Sequence, residues 1–401
     1  MSCPEKTVAT GEKPRSKEEE KRMKKFLALV LVFAMMFTMA ACSGSSDDTI
    51  KVGVIGCYTG EVAVYGNTTF QGIELYVDEL NANGGINGKK VELVKYDDKG
   101  DATEAVNAYN KLVSADNVVA IIGSVTSTPT IAVSQASEAD GVPIITGTAT
   151  HLDVTAYGNN MFRACFVDDL QAKTMANVAK ANGVTKAAVI FNNSDSYSTG
   201  VQKSFVKYCG ELGIEIVASE SYGKDATDFS AQLTNIAAKN PEIIFVPEYY
   251  NNVYLVAKQA REMGVTVPFY GVDGCDGVLG IEGADVSYLE GILFCNHYTT
   301  ADESEVVQSF LSNYKAKYNE DPTSFSALGY DAALIMCNAI EAAGVTEASP
   351  EAYAKVIEAV RASATDGVTG HITYENADGT PTKATKVIEI KGGEYTFYGE
   401  Y

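Results

Sequence analysis

The fold is decided by residues 50–98, which read IKVGVIGCYTGEVAVYGNTTFQGIELYVDELNANGGINGKKVELVKYDD. Residues 50–56 form a short, β-branched run that ends in glycine, which is typical of a buried strand. A helix is predicted over 66–82, because the Asn-Gly-Gly at 83–85 is a typical helix end. A second strand follows at 90–97. This order predicts two parallel strands joined by a helix.

The same alternation continues along the rest of the chain. Further strands are predicted at 118–123, 142–146, 162–166, 187–191, 215–219, 242–247, 269–272 and 291–296. Further helices are predicted at 102–115, 129–140, 170–182, 200–212, 229–239, 253–263, 303–318, 326–343 and 350–362. Residues 386–390 and 395–398 read as a closing hairpin. The pattern predicts an α/β protein with parallel sheets, divided into two lobes that face each other across a cleft.

Composition excludes several classes of function. The 401 residues include 31 Lys+Arg and 52 Asp+Glu, a formal net charge of −21, whereas a surface that binds nucleic acid needs clustered basic residues. The length suggests two or three domains. With only three histidines in the chain, a zinc site or a catalytic centre built from several histidines is not expected.

The charge is uneven because the N-terminus resembles an export segment. The first 41 residues hold eight Lys+Arg and five Asp+Glu, a net of +3, so the rest of the chain carries −24. Residues 23–41 have a basic start and an apolar run of 16 residues, shorter than the roughly 20 that a membrane-spanning helix needs. They end in Met-Ala-Ala before Cys42, which resembles a lipobox with Cys42 as the acylated residue. Plain secretion is the alternative.

The segments on either side of this signal are not expected to belong to the folded domain. We expect residues 1–22 to be a leader or a mis-set start, and residues 42–49 to be a flexible tether.

Cysteine spacing leaves the redox state open. Six cysteines remain in the exported part of the chain, and they show neither a CxxC motif nor a zinc pattern. They are Cys57, Cys165, Cys209, Cys275, Cys295 and Cys337. Disulfides are permitted in an exported protein, and buried free thiols are the alternative.

The candidate site lies where the predicted strands end. Hydroxyl residues follow the strands of the first lobe at 124–128 and 147–150, next to helix starts that favour a carboxylate. In the second lobe, Tyr197, Tyr249 and Asp273 occupy the corresponding places and suit an ammonium group beside an apolar side chain. Helix caps, a solvated turn and packing aromatics are the structural alternatives. The combination predicts a site for a zwitterion.

Enzyme motifs are not found in the sequence. The chain has no GxSxG, HExxH, GxxxxGK[ST] or post-strand GxGxxG, and Asp97-Asp98-Lys-Gly-Asp101 lacks the spacing of an EF-hand. We therefore expect no catalytic residues, no metal and no cofactor.

From residue 50 to about 398 the chain resembles the leucine/isoleucine/valine-binding family of ABC-transporter solute-binding proteins. The motifs most specific to this family are Gly-Gly-Ile-Asn-Gly-Lys at 84–89 and Tyr-Asp-Asp at 96–98. Asp-x-x-Asp-Phe-Ser at 225–230, Gln-Ala-Arg-Glu-Met-Gly at 259–264 and Gly-x-Asp-Gly at 271–274 add to them.

This resemblance implies a type I periplasmic-binding fold, in which two Rossmann-like lobes are joined by three hinge strands. The implied lobes are 50–167 plus 299–368 and 168–298 plus 369–401. It also implies a monomer that delivers a branched-chain or other apolar amino acid to an ABC permease, and acylation of Cys42 would tether it to the membrane. A sensing module for a receptor, or a transporter of amides, urea or aromatic acids, would share the fold.

The resemblance also implies roles for eight residues. In the first lobe, the ligand's carboxylate and ammonium would be held by Ser127, Thr148 and Thr150. In the second lobe, the matching positions are Tyr249 and Asp273, with Asp273 facing the ammonium. The ligand's side chain would be enclosed by Tyr65, Tyr197 and Tyr330. Two of the eight residues depart from the family pattern. Asp273 stands where Glu is usual, and Thr148 stands where a small apolar residue is usual, which predicts an additional hydroxyl near the carboxylate.

Overall fold

The computed structural model describes residues 49–375 and 378–401. The predicted leader, the signal segment, Cys42 and all of the tether except its last residue lie outside the described residues. Within the described part of the chain, none of the helices combines the length and the hydropathy that crossing a bilayer requires.

The first sheet has five parallel strands in the order β2-β1-β3-β4-β5. The strands are β1 Thr49–Gly56, β2 Lys90–Asp97, β3 Ala120–Ile122, β4 Ile144–Thr146 and β5 Met161–Arg163. The helices between them are α1 Ala63–Ala82, α2 Ala102–Lys111 and α3 Ser127–Ser137. The predicted end of α1 is confirmed, since Gly84 and Gly85 have φ of 109° and 68°, and a Cβ on Gly85 would lie 2.0 Å from the Lys89 carbonyl oxygen.

Three later helices lie in the stretch that follows the second sheet. They are α8 Glu305–Tyr318, α9 Ser324–Ala343 and α10 Pro350–Arg361. Helices α4 to α7 belong to the second sheet and are given in the next paragraph. Helix α9 is buried on most of its surface, and Met336 and Ile340 share a core with Ile73 and Val77 of α1. The chain therefore returns to the first lobe, as the resemblance implies.

The second sheet has seven strands in the order β14-β13-β10-β9-β8-β6-β7. They are β6 Lys186–Asn192, β7 Glu215–Tyr222, β8 Ile243–Phe245, β9 Phe269–Gly271, β10 Leu293–Asn296, β13 Lys386–Lys391 and β14 Glu394–Glu400. Its helices are α4 Asp168–Ala181, α5 Ser196–Leu212, α6 Ser230–Ala237 and α7 Tyr250–Glu262. The predicted closing hairpin is confirmed, because β13 and β14 pair antiparallel at the edge of the sheet.

The chain crosses between the lobes at 164–167, at 297–304 and a third time between the end of β12 at Thr373 and the start of β13 at Lys386, as expected for three hinge segments. One small element is absent from the sequence prediction, the antiparallel pair β11 Ala364–Gly367 and β12 Gly370–Thr373. Each strand is only four residues long and contains glycine, and β11 also contains Asp366; both residue types are depleted in strands, which explains why the pattern of the sequence does not reveal them. We keep the lobe boundaries given above as a proposal except at this third crossing: β12 pairs with β11 and Ile372 shares the core of the first lobe, so the second lobe resumes after Thr373 rather than at 369.

Candidate functional site

The ends of strands from both sheets meet at one small cavity between the lobes. Six of the eight predicted site residues line it: Ser127, Thr148, Thr150, Tyr197, Tyr249 and Asp273. The other lining residues are Val125, Thr126, Gly274 and Phe325. The cavity measures about 10 Å³, which is room for about one water molecule. An amino acid can therefore enter only when the lobes move apart.

The first lobe contributes a helix N-terminus to the cavity. Thr126 is the N-cap of α3 in an extended conformation and makes no side-chain capping bond. Ser127 is buried, and its hydroxyl oxygen accepts a bond from the His151 backbone N–H at 3.3 Å, which leaves the hydroxyl proton to donate. Donors at a helix N-terminus favour an anion, so this wall suits a carboxylate.

The two threonines after β4 have different roles. The Thr148 hydroxyl donates to the Val125 carbonyl oxygen at 2.5 Å, so its proton ties two loops together. The hydroxyl expected near the ligand carboxylate is therefore engaged with the backbone. Thr150 also lines the cavity, and its backbone carbonyl oxygen accepts a hydrogen bond from the Asp168 backbone N–H at 3.0 Å.

The second lobe places Asp273 at the cavity and fixes both of its carboxyl oxygens. Oδ1 accepts from the Tyr197 hydroxyl at 2.6 Å, and Oδ2 lies 3.1 Å from Nε2 of His297. The Asp273 backbone N–H donates to the Gln171 side chain at 3.2 Å. Asp273 is 3% exposed, so an ammonium group beside it would be shielded from water.

Aromatic rings enclose the rest of the site. Tyr197 and Tyr249 stack with ring centroids 5.1 Å apart and planes 4° apart. Phe325, at the start of α9, stacks on Tyr65 at 4.0 Å. Rings of this kind provide apolar contact for an aliphatic side chain.

Tyr65 lies behind the cavity and bridges the lobes. Its hydroxyl donates to the Gly274 carbonyl oxygen at 2.5 Å and accepts from the Tyr250 backbone N–H at 2.9 Å. Thr128 and Asp195 form a second bridge at 3.1 Å. The structure thus shows the lobes closed on each other.

Tyr330 is the one predicted site residue that the structure does not bring to this region. It lies within α9, where its ring packs on Tyr76 of α1 and its hydroxyl donates to Glu79 at 2.7 Å. Phe325, one and a half turns earlier in the same helix, lines the cavity instead. The position of Phe325 at the start of a predicted helix was the feature of the sequence that could have identified it as a site residue.

Two further carboxyl groups, those of Asp168 and Glu248, are buried near the cavity without lining it. Burial raises the pKa of Asp168 to about 8, and burial raises the pKa of Glu248, beside Tyr249, to about 8. One oxygen of each carboxyl group has no hydrogen-bond partner among the described residues. No Lys or Arg is among the residues that line the cavity, so a second carboxylate on the ligand would meet no counter-charge.

Neither disulfides nor a metal site contribute to this arrangement in the described residues. The six cysteines named above are buried free thiols, which is the second of the two alternatives that their spacing left open. Across 49–375 and 378–401 no group of three or more His, Cys, Asp or Glu side chains is placed to hold a metal ion.

Residues 49–394 match a family model described as "Periplasmic binding protein". The chain is 30% identical to the Leu/Ile/Val-binding protein BraC3 of Rhizobium johnstonii, with 91% of this chain and 98% of that protein covered. It is 29% identical to the leucine-, isoleucine-, valine-, threonine-, and alanine-binding protein of Pseudomonas aeruginosa, with 87% and 90% covered.

Two solved structures with the same fold are branched-chain amino acid binding proteins by name. LivJ of Streptococcus pneumoniae, in complex with isoleucine, matches with a TM-score of 0.81 and 32% identity over 88% of this chain and 98% of its own. The leucine-binding protein LivK of Thermotoga maritima matches with a TM-score of 0.80 and 31% identity over the same shares. These matches confirm the two-lobed type I periplasmic-binding fold.

Proposed function

This chain belongs to the periplasmic binding protein family, and from that premise we propose that it captures a small apolar amino acid for an ABC importer. It is a binding protein rather than an enzyme. Closure of the lobes around the ligand presents the complex to a membrane permease, and the ligand's affinity offsets the cost of closing.

One observation carries the proposal: the cavity has an anion-binding wall on one lobe and an acidic group on the other. The N-terminus of α3 and Ser127 suit a carboxylate, while Asp273 and the oxygen of Thr150 suit an ammonium group. An α-amino acid carries these two charges on groups bonded to the same carbon atom. The stacked rings of Tyr197 and Tyr249, together with Phe325, leave an apolar surface for its side chain.

The proposal gains support from the relatives, whose names describe binding of leucine, isoleucine and valine. Since no Lys or Arg lines the cavity, we expect aspartate and glutamate to bind poorly. Branched-chain amino acids are therefore the first ligands to test, with alanine and threonine next.

A thermal-shift screen followed by calorimetry tests the proposal. We expect leucine, isoleucine or valine to raise the melting temperature by several degrees, because a ligand at 1,000 times its Kd stabilises the folded state by about 4 kcal/mol. Small amides, urea and benzoate belong in the same screen. If no amino acid shifts the melting temperature while one of these does, the protein carries a different solute. If nothing shifts it, the transport proposal fails.

We propose further that the chain is a lipoprotein, tethered outside the cytoplasmic membrane through Cys42 and acting as a monomer. Two acyl chains on one residue anchor a protein stably, which suits a receptor that serves a permease in the same membrane. Mass spectrometry of the N-terminal peptide tests the anchor: a diacylated Cys42 is expected, and an unmodified or uncleaved terminus contradicts it.

A further inference from the structure

His297 lies directly behind the acidic wall of the cavity, at the carboxyl end of β10. It is 2% exposed, and its ring stacks on Phe166 with centroids 3.6 Å apart and planes 18° apart. Its backbone N–H donates to the Asn296 side chain at 2.8 Å. Phe166 and His297 belong to two of the three segments that cross between the lobes, so packing holds the imidazole in one place.

The hydrogen bonds define the state of this imidazole. Its Nε2 lies 3.1 Å from Oδ2 of Asp273, and an ionised carboxylate can only accept a hydrogen bond. The proton must therefore be on Nε2. Nδ1 has no partner among the described residues, as expected for a neutral ring whose second nitrogen is an acceptor.

This contact determines where the Asp273 carboxylate points. Aspartate has a short side chain, and here the Tyr197 hydroxyl holds one oxygen while His297 holds the other. Without the imidazole, the carboxylate could rotate about its last bond and turn away from the cavity. A ligand would then have to restore that orientation, which lowers its affinity.

We propose that His297 is the residue that positions Asp273 for the ligand's ammonium group, and that a proton on His297 competes with that ammonium. The inference rests on the proposed function, because it assumes a ligand with a positive charge at Asp273. When His297 is protonated, the pair is already neutral, and the attraction for a second cation decreases.

The charged groups around His297 influence its pKa and so the pH at which ligand affinity should change. Asp273 and Asp276 face His297 from the turn after β9, Lys383 faces it from the third crossing segment, and Asp168 interacts electrostatically with Asp273. Asp302, His371, Lys386 and Glu400 line the same recess as His297, which has a volume of about 520 Å³. Burial lowers the pKa of His297 below its ordinary 6.5, although Asp273 opposes this. Affinity should therefore fall as the pH decreases through the titration of His297, by at most about tenfold per pH unit for one proton.

Ligand titrations of three variants test the proposal. His297→Phe keeps the ring that stacks on Phe166 but removes the donor, so we expect about 10- to 100-fold weaker binding at pH 7. His297→Gln keeps a donor and cannot titrate, so affinity should stay within about threefold of wild type and lose its decrease on the acid side. The matched control is His371→Gln, an exposed histidine paired with Asp366, which should change neither.

Imidazole ¹⁵N NMR tests the pair without any ligand, and three histidines make the assignment simple. We expect the Nε2–H form for His297 and a lower pKa of His297 in Asp273→Asn. An Nδ1–H form, an unchanged pKa in that variant, full affinity in His297→Phe or a retained acid-side decrease in His297→Gln would each overturn the inference. Wild-type protein that binds no amino acid would instead contradict the proposed function. The NMR results would still show whether His297 and Asp273 form the proposed hydrogen bond.

Discussion

The two walls of the cavity differ in how they are built. The wall from the first lobe holds neutral groups, and its loops are tied by bonds to nearby backbone, such as that from Thr148 to Val125. The wall from the second lobe holds Asp273, whose partners Tyr197 and His297 come from other strand ends. The anion pole is thus a local product of one helix start, whereas the cation pole depends on contacts between distant segments.

The difference extends to energetic cost. Free N–H groups at a helix N-terminus need no buried charge to attract an anion. A buried carboxyl group loses hydration, and burial raises the pKa of both Asp168 and Glu248 to about 8. Asp273 is the carboxyl group that lines the cavity, and it is buried. Removing it takes away the charge that faces a cation, whereas removing one hydroxyl from the first lobe leaves the helix N–H groups in place, so mutation of Asp273 should have a larger effect on binding.

The largest effect is expected at Asp273. Asp273→Ala should weaken amino acid binding about 30-fold or more, because removing one partner of a buried charge pair costs roughly 2–5 kcal/mol. Asp273→Asn, which keeps the shape and removes the charge, should lose nearly as much. Calorimetry measures the affinity, and circular dichroism verifies the fold. Glu282→Ala, an exposed acid in the same lobe, is the control and should bind normally. Retained affinity in both Asp273 variants would show that Asp273 is only a turn residue.

A smaller effect is expected on the neutral wall. Ser127→Ala removes one donor to the ligand carboxylate and should weaken binding about tenfold, since a hydrogen bond to a charged group contributes about 1.5–3 kcal/mol and the helix N–H groups remain. The matched control is Ser134→Ala in the same helix, whose buried hydroxyl has no partner among the described residues. Equal affinities of the two variants would mean that the carboxylate does not bind at this helix start.

The difference between the two walls also explains which parts of the site the sequence can predict. Strand ends are visible as breaks after apolar runs, so Ser127, Thr150 and Asp273 could be placed at one cleft. His297 also follows a strand, and the same reasoning applied to β10 would have included it. What sequence cannot show is which hydroxyl is already engaged, as at Thr148, because that depends on the distance between two loops.

The helix α9 shows the second limit. Its residues are buried on most sides, so its sequence does not indicate which face meets the ligand and which meets α1. Phe325 lines the cavity and Tyr330 bonds Glu79, although both are aromatic residues in the same helix. The alternation of strands and helices was sufficient for the fold, because it depends on apolar periodicity alone.

The smallest effect is expected at the contact between the two walls. Tyr65→Phe keeps the ring that stacks on Phe325 but removes the hydroxyl that joins Gly274 and Tyr250 across the lobes. We expect binding to weaken about threefold, which corresponds to a net loss of about 0.5–1.5 kcal/mol for one bridging hydroxyl. Small-angle X-ray scattering of the ligand-free variant should show a larger radius of gyration, because the closed state loses a bond that the open state never makes. Tyr330→Phe is the matched control: its hydroxyl bonds Glu79 within the first lobe, so neither affinity nor scattering should change. If the two variants behave alike, closure does not depend on the Tyr65 bridge, and the asymmetry between the walls must arise from their contacts with the ligand alone.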